Sequence, residues 1–346
     1  MWSMVPRVTF ANGCQIPQIG LGTYLTRGEE GIRAIKQAID IGYRHIDTAY
    51  RYGNEREVGQ AVRDKIAEGF IAREDLFITT KLWNSFHSPR HVAEAFGRSL
   101  ANLKLEYVDL YLMHMPMALA FRGFGEADLI PYDTQGKVAC SEVNFCDTWR
   151  AMEQLVRTGQ VRSIGVSNFN RTQLRRLLAE ATIRPVTNQV ECNPGFNQKP
   201  LIEFCRAEDI TVTAFSPMGR ANRSDSSCGV TANVLTDARV ARIGAKYGKS
   251  NAQIVLRYLI DIGTIPIPKP CNRAETLENI DIFDFQLTAD EIGLMDGFAN
   301  GKRAVPLKYY SHHRDYPFGN EDNEDVGDEV DAENHFSSKS ANYLKV

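Results

Sequence analysis

The chain has 346 residues and a formal charge of −3, with 43% apolar and 24% charged residues. These values sit near the average for globular proteins and exclude collagen-like, disulfide-scaffold and wholly disordered chains. Forty Lys and Arg against 43 Asp and Glu exclude a strongly basic nucleic-acid binder, and no apolar run reaches membrane-spanning length.

The N-terminal segment MWSMVPRVTF lacks the basic and apolar regions of a secretory leader. Seven cysteines without metal-ligand spacing read as reduced thiols, so the expected location is the cytoplasm. Val8 to Phe10, Asn12-Gly13 and Ile16 predict a small hairpin with an Asn-Gly turn. Eight apolar runs follow, at 19–23, 44–47, 76–82, 107–114, 163–168, 186–191, 211–216 and 264–269. Helical patterns alternate with them at 29–41, 55–68, 89–103, 146–158, 171–180, 199–208, 236–247, 250–261, 274–280 and 288–297.

Continuous apolar strands alternating with helices imply a parallel sheet covered on both faces. Eight such units predict an α/β fold of the (β/α)₈ barrel type. A doubly wound sheet is the alternative, weakened by the lack of GxGxxG between a strand and a helix. Long irregular segments at 115–145, 216–234 and 299–318 suggest functional loops. Residues 1–318 read as one barrel domain. Residues 319–346 hold eight acids and two lysines, and read as an acidic, disordered tail.

Polar residues close the apolar runs. They are Asp47, Lys81, His114, Ser167 with Asn168, Gln189, Ser216 and Lys269. On a barrel they converge at the mouth formed by the strand C-termini, where active sites sit. Tyr52 lies five residues after Asp47 and can return to that mouth. An ammonium about 4 Å from a phenol, at an effective dielectric of about 20, is worth roughly 4 kcal/mol. That would lower a tyrosine pKa by about three units before desolvation is subtracted. Asp47 would hold Lys81 charged, Tyr52 would exchange a proton near neutral pH, and His114 would orient a carbonyl oxygen. His312-His313 lacks further ligands at metal spacing and reads as a solvated pair. No metal site is expected.

The motifs DTAYRYGNE (47–55), TTKLW (79–83), LYLMHMP (111–117), GQVRSIGVSNFN (159–170), NQVECNP (188–194), FSPMG (215–219) and IPKP…ENIDIFDFQL (267–287) resemble the aldo-keto reductase family, possessed of both aldose-reductase-like and hydroxysteroid-dehydrogenase-like branches. The resemblance covers residues 7–318. It implies a barrel closed at its bottom by the N-terminal hairpin and NAD(P)H-dependent reduction of aldehydes or ketones to alcohols. The family's tetrad falls on Asp47, Tyr52, Lys81 and His114, with Tyr52 as general acid. Its steroid double-bond reductases carry Glu in place of His114, so this chain is expected to reduce C=O.

The resemblance further implies that Ser167, Asn168 and Gln189 hold the nicotinamide carboxamide while Phe215 stacks on the ring. Gly22, Thr23, Asp47 and Thr48 flank the ring, and Ser216 and Met218 follow the pyrophosphate. Lys269, Arg273, Glu275, Glu278 and Asn279 fall at the adenosine end. NADP(H) is the family expectation. Pro270 and Glu275 replace the usual 2′-phosphate ligands, which opens NAD(H) use, since a carboxylate repels phosphate and accepts from ribose hydroxyls.

Tyr24, Tyr52, Trp83 and His114 are the expected substrate contacts. Met115, Met117, Phe121, Phe124, Tyr309 and Tyr310 add to an apolar mouth, suited to bulky hydrophobic carbonyls more than to sugars. The expected partner is a small carbonyl compound, with no nucleic acid or membrane, acting on a monomer. A nicotinamide-binding regulatory or structural protein on the same barrel is the competing reading, disfavoured by the intact tetrad. A barrel hydrolase is disfavoured because Asp47 has no second carboxylate at a strand end.

Overall fold

The computed structural model describes residues 5–219 and 234–319. Strands β1 (Arg7–Thr9) and β2 (Gln15–Pro17) form the antiparallel hairpin. Gly13 turns it with φ +84°, a value glycine adopts freely. Phe10 and Ile16 of the hairpin pack with Phe77, Leu110, Leu112, Val186 and Ile265. Phe77 and Val186 lie at the N-terminal ends of their barrel strands, so the hairpin plugs the bottom.

Eight parallel strands then alternate with helices. They are β3 (Leu21–Gly22), β4 (His45–Asp47), β5 (Phe77–Leu82), β6 (Val108–Met113), β7 (Val161–Ser167), β8 (Thr187–Glu191), β9 (Thr211–Phe215) and β10 (Thr264–Pro266). Each pairs with the next in sequence. The covering helices are α1 (Gly28–Ile41), α2 (Glu55–Ala67), α3 (Pro89–Leu103), α4 (Phe145–Arg157), α5 (Arg171–Glu180), α6 (Lys199–Ala207), α7 (Ala238–Tyr247), α8 (Asn251–Asp261), α9 (Arg273–Ile280) and α10 (Ala289–Asp296). Strands β5, β6 and β8 are buried along their whole length, as expected when helices cover the outside and side chains fill the inside.

The barrel closes between β10 and β3. Gly20 and Gly22 donate their backbone N–H to the carbonyls of Pro266 and Pro268, at 3.0 and 2.9 Å. On its other side Ile267 donates to Ala214 of β9 at 3.0 Å. The two prolines have no N–H to return across the seam, so the seam bonds run in one direction. This is why β10 stops at Pro266 although the apolar pattern predicts a strand to 269. Gly22 is required at the seam because a Cβ there would lie 2.8 Å from the Ile267 carbonyl oxygen.

The loop at 115–145 is less irregular than its sequence suggests. Antiparallel bridges join Leu119 to Cys140 and Tyr132 to Val138. The segment at 299–318 is bolted to its surroundings. Glu191 accepts from the backbone N–H of Ala304 and Val305 at 2.6 and 2.9 Å. Gln173 donates to the carbonyl of Asp315, and Arg176 pairs with that carboxylate. Within 216–234, residues 220–233 lie outside the described residues, as does all but the first residue of the acidic tail. No helix among the described residues is long and apolar enough to cross a membrane. No disulfide joins the six described cysteines.

Candidate active site

The mouth at the strand C-termini gathers the residues singled out by their positions. Asp47 ends β4, Lys81 lies in β5, and His114 follows β6. Ser167 ends β7 with Asn168 next, Gln189 lies in β8, and Phe215 ends β9. Lys81 is fully buried and Asp47 nearly so. The Lys81 Nζ donates to Asp47 Oδ1 at 2.5 Å and to the Thr48 carbonyl at 2.9 Å, and makes a long contact of 3.5 Å to the Tyr52 hydroxyl. It also lies 4.9 Å from the centre of the Tyr52 ring. The other Asp47 oxygen accepts from Gln189 Nε2 at 2.7 Å.

Tyr52 sits on a short 3₁₀ turn, Tyr50–Tyr52. His114, 8% exposed, faces its ring at 5.7 Å and the Trp83 ring at 5.2 Å. Tyr24 is 48% exposed and meets Tyr52 edge-on at 5.1 Å. Trp83 is buried, its indole N–H held by the Leu129 carbonyl at 2.5 Å. The four expected substrate contacts are therefore one cluster.

The electrostatics differ from expectation in one respect. Burial pushes the Tyr52 phenol well above its ordinary value, and the charge of Asp47 and the Tyr24 phenol act in the same direction. The lowering expected from Lys81 does not prevail. Desolvation is the largest influence, and Asp47, which holds the Lys81 ammonium at 2.5 Å, adds to it. Lys81 is lowered by burial, with Asp47 opposing. His114 is pushed well below the ordinary histidine value by burial, then by the charges of Lys81 and Arg51. It stands as a neutral imidazole with Nδ1 buried and unpartnered.

Nicotinamide recognition can be tested on the donor set. Ser167 donates to the Gln189 carbonyl at 2.7 Å, and Asn168 Nδ2 donates to the His114 carbonyl at 3.0 Å. Asn168 adopts a left-handed φ of +63°, which Asn tolerates. Its Oδ1 is buried without a partner, an uncommitted acceptor of the kind a carboxamide N–H needs. Phe215 is partly exposed and free to stack. Thr23 is tied to the Asp47 carbonyl at 2.8 Å, next to Gly22. Ser216 turns with φ +49°, followed by the partly buried Met218. These residues fit such a nucleotide.

At the adenosine end, Lys269 is exposed, with no hydrogen bond or ion pair among the described residues. Glu275 is more than an exposed helix residue. Its carboxylate accepts from the Cys271 backbone N–H at 2.7 Å and from Asn272 Nδ2 at 3.0 Å, bracing Asn272, which caps α9 by accepting from the Glu275 N–H at 2.9 Å. Arg273 lines a groove with Ile32 and Lys36 of α1. Glu278 accepts from the Ser250 hydroxyl, and Asn279 is buried.

Other expectations change. Phe121 and Phe124 pack on Phe86 and His91, away from the tetrad, and Met117 is fully buried. His313 is buried, not solvated, and bonds the Ala118 carbonyl at 3.0 Å, while His312 bonds that of Val138 at 2.9 Å. Both fasten the C-terminal segment to the 115–145 loop. Asn54 was missed although it lies inside the DTAYRYGNE motif. It is fully buried, donates to the carbonyls of Thr23 and Thr26 and accepts from Thr48. Arg51 lies in the same motif, but the motif alone does not show that it meets Trp83, and nothing local in the sequence marks Arg27.

The family model for the Aldo/keto reductase family matches residues 18–300. This chain belongs to the aldo/keto reductase family. Its members are NADP-dependent carbonyl reductases, and the chain is an oxidoreductase of that family. It is 44% identical to Aldo-keto reductase family 1 member D1 of Mus musculus over 322 residues, 91% of this chain and 97% of the relative. The aldose reductase of Schistosoma japonicum superposes with a TM-score of 0.84 at 39% identity, covering 91% of this chain and 99% of that one. An aldo-keto reductase of Bombyx mori, solved in complex with NADP, superposes at 0.80 with 37% identity and the same coverage.

Proposed function

We propose that this aldo/keto reductase converts aldehydes or ketones to alcohols at the cluster of Asp47, Tyr52, Lys81 and His114. The observation that carries the reading is the convergence of a phenol, a buried ammonium and a neutral imidazole at one barrel mouth. A bound nicotinamide nucleotide supplies the hydride that the carbonyl carbon accepts. Ser167, Asn168, Gln189 and Phe215 hold its nicotinamide end, and Lys269 is the cation available for a 2′-phosphate.

The protein residues manage the oxygen. His114 is neutral, so one ring nitrogen carries a proton and can hydrogen-bond the carbonyl oxygen. Tyr52 keeps its proton because its environment disfavours phenolate, and so arrives at the reaction as an acid. Negative charge then develops on the carbonyl oxygen and takes the phenol proton. Lys81, held by Asp47, stabilises the phenolate that remains. With the hydride on carbon and the proton on oxygen, the product is an alcohol.

The intact acid and its buried cation weigh against a purely regulatory nucleotide binder. The test is initial-rate oxidation of NADPH and of NADH with a panel of small aldehydes and ketones. Turnover is the expected result. Nucleotide binding without turnover of any compound would favour the regulatory reading.

A further inference from the structure

Arg51 is the one arginine adjoining Tyr52 in sequence, on the same 3₁₀ turn. It is partly buried. Among the described residues its guanidinium makes no hydrogen bond and no ion pair. It lies 5.7 Å from the centre of the Trp83 ring, and that ring lies 5.2 Å from His114. The guanidinium is thus one indole away from the imidazole. Its charge acts on Tyr132, Tyr309 and Tyr310 as well as on His114. Tyr132 and Tyr309 are large exposed aromatics of the 115–145 and 299–318 loops.

The nearby acids are occupied. Asp47 is held by Lys81 and Gln189, and Glu126 is paired with Arg27 at 3.2 Å. Among the described residues the mouth therefore carries a positive charge with no ion-pair partner, on a planar fork of donors. Such a fork matches a carboxylate in two parallel hydrogen bonds. A partly desolvated guanidinium with no anionic partner among the described residues gains most from an anion that arrives with the substrate.

We propose that Arg51 determines specificity for carbonyl substrates that also carry a carboxylate. The acid end lies against Arg51 at the rim of Trp83, and the carbonyl lies between Tyr52 and His114. The aromatic walls of Tyr24, Trp83, Tyr132 and Tyr309 cover the apolar stretch that joins the two ends. This replaces the wholly apolar mouth expected from the sequence. Arg51 acts on the non-reacting end, so its effect is selection among substrates. The inference rests on the carbonyl reduction proposed above.

The test compares 4-carboxybenzaldehyde with its methyl ester, which keep the same ring and aldehyde. The wild type should show kcat/KM at least about tenfold higher for the acid, a difference of about 1.4 kcal/mol. Arg51→Gln should bring the acid-to-ester ratio close to one, and Arg51→Lys should leave it between. A wild-type ratio of one or below overturns the assignment without any variant. So does a ratio that stays the same in Arg51→Gln. Turnover of neither compound removes the carbonyl reduction itself, whereas brisk reduction of the ester alone removes only the role of Arg51.

Discussion

Arg27 holds the backbone carbonyl of Tyr52 with two donors, Nε at 3.1 Å and Nη2 at 2.8 Å. The same guanidinium pairs with Glu126. One side chain from the loop after β3 thereby ties the turn that carries the phenol to the long loop after β6. Small misplacements of a reacting group lower rates steeply. Arg27→Met should lower kcat for aldehyde reduction roughly 10- to 100-fold by that principle. Its stability should fall by about 1–3 kcal/mol, because the charged donors to the part-buried Tyr52 carbonyl are lost. Steady-state kinetics beside urea unfolding reads both, and an unchanged kcat would show that the turn holds itself.

The buried Asp47–Lys81 pair is a structural commitment as well as a chemical one. Removing one partner strands the other charge in the barrel. Asp47→Asn should destabilise the protein by about 3–5 kcal/mol. Asp47→Asn/Lys81→Met should recover part of that loss, since the stranded ammonium is gone. Equilibrium urea unfolding of the two variants decides it, and a double variant weaker than the single one speaks against a stranded charge.

The pH dependence follows from two shifts of opposite sign. His114 is pushed below the ordinary histidine value near 6.5, so it stays neutral as pH falls through that region. Tyr52 is pushed above 10, so it keeps its proton as pH rises toward that value. The kcat/KM for reduction should be flat between about pH 6 and 9, the range bounded by ordinary histidine and tyrosine values. A stopped series of initial rates in constant-ionic-strength buffers tests this. An inflection between 6 and 7 would mean that His114 titrates normally.

Glu275 has two roles to separate. Its carboxylate braces the turn before α9, accepting from the Cys271 N–H and from the capping Asn272, hydrogen bonds worth about 0.5–1.5 kcal/mol each. In the proposed nucleotide site it would also set a negative charge against a 2′-phosphate. Glu275→Gln keeps an acceptor for the Cys271 N–H and removes the charge. The ratio of kcat/KM for NADPH over NADH should then rise severalfold with little loss of stability. A ratio that does not move would leave Glu275 as a brace of the turn before α9 alone.

Much of this architecture was legible because its signals are local. Strands such as Phe77–Leu82 and Val108–Met113 are buried at every position, so they show no alternation of exposed and buried residues when both faces are covered. Each polar residue that interrupts the pattern at a strand end, Asp47, Lys81 and His114 above all, announces the mouth. The last strand was read too long because Pro266 and Pro268 act through the neighbour across the seam. Asn54, Arg27 and Arg51 escaped notice for a similar reason. Their partners, Thr23, Tyr52 and Trp83, lie on other loops, and only the closed barrel brings them together. His312 and His313 looked solvated because the loop they fasten, 115–145, has no period from which its path can be read. The direction of the Tyr52 shift depended on burial of the whole cluster, which pairwise charge reasoning omits.

The central claim is that Tyr52 gives the proton. The most direct measurement is Tyr52→Phe assayed twice, by NADPH binding through quenching of tryptophan fluorescence and by initial-rate reduction of a reactive aldehyde. The account predicts nucleotide affinity within about threefold of wild type, under 1 kcal/mol on the affinity scale. It also predicts a loss of turnover of about 10²-fold or more, the range for removing a general acid. Turnover that survives with only a small loss would contradict it and leave the proton with another group.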